Sequence, residues 1–110
     1  MANTFKLKTK AGITTLATVY TVPSSTTTVI LGCLIGNTTS SSINCTVTVS
    51  SDTSDTETNA DVELLTTTPI PGNSSLEIMA GNKIVLQTTD LFKVFGSGAV
   101  DVCLSIMEIT

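Results

Sequence analysis

Histidine, arginine and tryptophan are absent from this chain of 110 residues, and each absence removes a class of chemistry. Without histidine there is no Ser-His or Cys-His nucleophile pair and no ordinary general base near neutral pH. A Ser-Lys arrangement would have to use Lys83 or Lys93, and both fall inside strand patterns. No enzyme activity is therefore expected. The five basic residues are all lysines against nine acidic ones, a net charge of −4, and only Lys6, Lys8 and Lys10 cluster. That is too little positive charge to neutralise a phosphate backbone, so nucleic acid is excluded as a partner.

Long apolar runs are also missing. The longest, Val29 to Ile35, falls far short of the ~20 residues a membrane helix needs. The opening MANTFKLKTKAGITT lacks the apolar centre of a secretion signal, so synthesis in a cytoplasm is expected, with no membrane partner. The three cysteines, Cys33, Cys45 and Cys103, each sit in an apolar or β-branched run and are read as buried free thiols. A zinc site would need closely spaced ligands, and no metal or other cofactor is expected.

What the chain has is threonine, about a fifth of all residues, together with an aliphatic remainder of Val, Ile and Leu. Threonine's branched Cβ suits a pleated strand while its hydroxyl keeps an outer face wet. The organising stretch is Thr14 to Asn37, two β-branched runs (Leu16 to Val22 and Val29 to Ile35) separated by Pro23-Ser24-Ser25. The second run is apolar at nearly every position and is expected to be covered on both faces. Before it, Thr4 to Lys10 alternates Phe5 and Leu7 with the three lysines, a half-buried edge strand whose lysines discourage unwanted pairing.

After Asn37 come a polar turn and a cleanly alternating strand, Ile43 to Val49. Residues 50 to 59 carry no apolar side chain and read as an exposed acidic loop. Its Asp52, Asp55 and Glu57, with Asp61, do not match the spacing of a calcium loop and lack its glycine. Asp61 to Thr67 leads into Pro69-Ile70-Pro71-Gly72-Asn73, then short strands at Ser75 to Met79, Lys83 to Gln87 and Leu91 to Phe95. The last run, Ala99 to Ile109, sets Val100, Val102, Leu104 and Ile106 against Asp101, Cys103, Ser105 and Met107. No helical period and no internal repeat is present. The pattern specifies one all-β domain over residues 1–110: an antiparallel β-sandwich or jelly roll of eight to nine strands.

Three Asn-x-Ser/Thr sequons, at Asn37, Asn44 and Asn73, are what a chain this rich in Ser and Thr contains by chance. Phe92 and Phe95 flank Lys93, a pattern able to stack a base or a sugar, but no basic groove supports it. They are read as core or subunit-contact residues. A low-charge β domain without catalytic residues is suited to contact with its neighbours, and Phe5, Leu7, Phe92 and Phe95 are the residues expected to make it.

Leu16 to Asn37, with Val19-Tyr20-Thr21-Val22-Pro23, and Leu64 to Val94, with Pro69-Ile70-Pro71-Gly72-Asn73-Ser74-Ser75-Leu76 ahead of Lys83-Ile84-Val85-Leu86, resemble small virion proteins of tailed bacteriophages, cyanophages in particular. Ser24-Ser25 and Thr88-Thr89-Asp90 depart from that pattern by lacking a glycine. The resemblance implies a virion component: a head decoration (cement) protein binding the major capsid protein or other virion proteins, and associating with copies of itself, as a trimer. A neck, tail or fibre accessory protein and a host-surface or carbohydrate-binding module are the alternatives.

Overall fold

The structure, a computed structural model, describes residues 2–51, 59–79 and 82–110. The acidic loop expected over 50 to 59 therefore lies mostly outside the described residues. Nine strands run in order: β1 (Asn3–Ile13), β2 (Ala17–Thr21), β3 (Thr27–Asn37), β4 (Ile43–Ser50), β5 (Val62–Ile70), β6 (Ser75–Glu77), β7 (Ile84–Leu86), β8 (Leu91–Gly96) and β9 (Val100–Ile109). Among the described residues there is no helix.

The strands form two antiparallel sheets. One has the order β1-β9-β3-β6 with β7 also on β3, and the other the order β2-β8-β4-β5. Strands β6 and β7 lie along different stretches of β3, pairing Leu34–Gly36 and Thr28–Ile30 respectively, and together act as one interrupted strand. Counted so, two four-stranded sheets with long crossovers between them make a jelly roll, the architecture expected from the alternating runs.

Alternation decides what each sheet buries. Val100, Val102, Leu104 and Ile106 of β9, Ile30, Cys33 and Ile35 of β3, and Cys45, Val47, Phe92 and Val94 of the second sheet meet in one core. Phe92 is its largest fully enclosed side chain. The far ends of β3 and β5 are joined by the buried amide of Asn37. Its Nδ2 donates to the carbonyls of Ser41, Ile70 and Pro71, and its Oδ1 accepts from Thr39 N–H and Oγ1 at 2.9 and 2.7 Å. The chain passes this point only because residue 72 is glycine: a Cβ there would lie 2.5 Å from the backbone of Ser40.

Three expectations are corrected. β3 is not covered on both faces: it alternates, and Leu34 on its outer side is 45% exposed. Cys33 and Cys45 are buried free thiols, but Cys103 is exposed, because β9 turns Val102 and Leu104 inward on either side of it. On β1, Lys6, Lys8 and Lys10 pair opposite the inward Ile106, Leu104 and Val102, whereas Phe5 and Leu7 pair opposite Met107 and Ser105. The lysines thus lie on the side of the second sheet, at its rim, and the apolar residues face away from the core.

Phe92→Ala should cost about 3–5 kcal/mol, because the cavity left in a core this size cannot collapse. A urea titration followed by far-UV circular dichroism reads it as a large fall in midpoint at unchanged slope.

Candidate functional site

Two features stand apart from the core. The first is a polar cluster at the rim between the sheets. Tyr20 Oη donates to Glu108 Oε2 at 2.5 Å and lies 2.8 Å from Thr28 Oγ1, while Lys6 Nζ forms an ion pair with Glu108 Oε1 at 2.8 Å. The Lys8 ammonium sits 5.9 Å from the centre of the Tyr20 ring. Glu108 continues the inward face of β9 one step past Ile106 and is only 5% exposed, so its carboxylate needs these partners. The bond from Lys6, then that from Tyr20, holds the Glu108 carboxyl below the usual carboxylate range, outweighing burial, which alone would raise it. Burial first, and the adjoining carboxylate second, push Tyr20 up to about 12.

A neutral tyrosine and a fully partnered carboxylate have no proton to exchange near pH 7. Two hollows on the surface, about 390 and 350 Å3, are lined by other residues. The cluster fastens β1 and β2 to β9 across the gap between sheets.

The second feature is the outer face of the β1-β9-β3-β6/β7 sheet. The pairing registers place its side chains in cross-strand rows: Phe5, Met107, Val29 and Val85; then Leu7, Ser105 and Gly32; then Thr9, Cys103, Leu34 and Glu77; then Asp101, Gly36 and Ser75. Phe5, Leu7 and Val85 are 71, 63 and 60% exposed. The larger hollow lies on the same face, toward the opposite end, among Thr9, Ala11, Leu34, Gly36 and Cys103. The face carries Phe5, Leu7, Leu34 and Val85 with Asp101 and Glu77 as its charged residues, and no described strand packs over it.

The four residues expected to make contacts are divided by the fold. Phe5 and Leu7 lie together on this open face. Phe92 has 0% exposure in the core, where β8 turns it inward with Val94, and so cannot touch a neighbour. Phe95 is half-buried on the outer side of the other sheet, paired opposite Thr46. Sequence reasoning missed Leu34, Val85, Met107 and Val29; the signal for them was the strand register, which a single strand's pattern does not contain. Lys83 is exposed just before β7, and Lys93 lies half-buried on β8, opposite Thr18 and Thr48. Among the described residues no group of three or more His, Cys, Asp or Glu side chains is placed to hold a metal ion. Asp52, Asp55 and Glu57 lie outside the described residues.

The chain matches no model of a known protein family, and no curated protein matches it. Among solved structures it is similar to a protein of Bacillus endospore appendages, which form a novel family of disulfide-linked pili. The identity is 13% and the TM-score 0.53, over 97% of this chain and 84% of that one. At that identity the likeness concerns the fold.

The polar cluster fixes the pH response. Glu108 has a folded pKa below its unfolded one, so its contribution is complete at neutral pH and is lost as pH falls through the acid range. Tyr20 has a folded pKa raised to about 12, so its contribution is complete below pH ~10 and is lost as pH rises from there toward 12. Glu108→Gln keeps an acceptor for Tyr20 and removes the charge. Urea midpoints at pH 7 and pH 3 should show a smaller acid-induced loss in the variant than in the parent.

Proposed function

We propose that the chain is a structural subunit of a larger particle, and that its form of assembly is the one its sequence resemblance implies: a bacteriophage virion protein, bound to the head as decoration. The observation that carries this reading is the open sheet face. Of the seven large hydrophobic residues that are exposed among the described residues, Phe5, Leu7, Leu34 and Val85 share it. A contiguous apolar patch on a small soluble domain is costly to leave in water and marks a surface meant to be covered. The chain has no histidine, and the described titratable groups apart from that face include a neutral tyrosine, a tied carboxylate, and Cys33 and Cys45 thiols pushed up by burial, Cys33 to about 12.

The jelly roll supports the reading without deciding it, since this fold serves capsid proteins and lectins alike. The structural neighbour belongs to an assembly of repeated subunits, the pili of endospore appendages. In this chain Cys33 and Cys45 are enclosed and Cys103 is exposed. Contacts between subunits gain strength by repetition on a symmetric lattice.

Quantitative mass spectrometry of purified particles tests the assignment. Copies in the hundreds, comparable with the major shell protein, are expected; about a dozen or fewer would move the protein to a neck or tail, and its absence from particles would overturn the reading.

A further inference from the structure

The open sheet face has a shape that fits itself. Its first row is a ridge, Phe5, Met107, Val29 and Val85 side by side across the strands. Its last rows are Thr9, Cys103, Leu34 and Glu77, then Asp101, Gly36 and Ser75, and a hollow of about 390 Å3 opens there among the small Thr9, Ala11, Gly36 and Cys103 beside Leu34. Met107 and Asp101 are six positions apart on β9, so ridge and hollow are about 20 Å apart on one sheet face. A two-fold axis in the plane of the contact, running across the strands midway between them, lays each ridge over the other copy's hollow.

We infer that two copies of this chain pack face to face through this sheet, the Phe5 ring of each entering the hollow beside Thr9, Ala11 and Leu34 of the other. The inference rests on the reading above that this face is a contact surface, and it names the occupant as a second copy.

The same rotation keeps β1 over β1 and β9 over β9, which is what an isologous contact requires: the residue that supplies the knob also belongs to the surface that supplies the hole. The four strands span about 19 Å at the usual spacing and β9 about 34 Å along its length, giving roughly 600 Å2 per copy and 1,200 Å2 in all. That is the lower bound of a specific interface and fits a reversible dimer rather than a permanent one. Of the charged residues on the face, Asp101 lies at its hollow end, opposite the other copy's uncharged ridge, and Glu77 lies in the Cys103 row at the β6 edge of the contact. This contact pairs copies two by two, whereas the resemblance implies a trimer.

Sedimentation equilibrium on the full chain measures the association. A monomer–dimer equilibrium is expected, with Phe5→Asp and the hole-filling Ala11→Trp each raising Kd at least about tenfold. Leu64→Asp, on an exposed position of β5 in the other sheet, should leave Kd unchanged. Far-UV circular dichroism checks that each variant is folded. Independently of any variant, Cys103 lies next to the axis and is exposed while Cys33 and Cys45 are enclosed, so a short bis-maleimide should join two copies through Cys103 alone. A strict monomer, a trimer, a dimer indifferent to Phe5→Asp and Ala11→Trp, or a dimer without the Cys103 cross-link overturns the inference. A dimer absent from particles would sink the virion reading alone, and a monomer found on particles would sink the pairing alone.

Discussion

The inward face of β9 governs this molecule. Val100, Val102, Leu104 and Ile106 follow one another on it into the core, and Glu108 comes next in the same alternation. A carboxylate reaching that depth must be solvated by the protein. Lys6 and Tyr20 do so, from β1 and β2, which belong to different sheets. Apolar burial and one obligatory charge pairing therefore act at the same rim and in the same direction, closing the sandwich where β1 and β2 meet.

That requirement also explains the orientation of β1. If its lysines are to reach Glu108 and the Tyr20 ring, they must lie on the side of the second sheet. Period-two geometry then leaves Phe5 and Leu7 no place but the outer face. An edge strand with inward-pointing charges is a poor template for adding another strand. Association is thereby steered away from the edge and toward the face, where the apolar side chains are. The polar rim and the exposed ridge are two consequences of one alternation.

The proposed function follows from that division. Among the described residues the interior is packed chiefly with aliphatic side chains, and the Tyr20, Glu108 and Lys6 groups of the rim partner one another. What remains unsatisfied is surface, and a surface is satisfied by another molecule. A ridge and a hollow at opposite ends of one face make a second copy a fitting partner.

Much of the fold was written in the local pattern. The runs at Ile43 to Val49 and Ala99 to Ile109 alternate so cleanly that strand identity followed from the residues alone, while Cys103, read as buried from its apolar neighbours, lies on the exposed face. Other facts needed the sheets assembled. A period of two says that Phe5 and the lysines of β1 lie on opposite sides but not which side meets the core; pairing with β9 decided it. The apolar run of β3 could not reveal that only one of its faces is covered, because coverage depends on where the second sheet lies. Phe92 and Phe95 look alike in sequence, yet one is core and the other outward, and Val85 joins Phe5 only through β7, β3 and β9. Alternation is a property of one strand and is legible within it. Sidedness and register are relations between strands far apart in the chain, so they exist only once the sheets have formed.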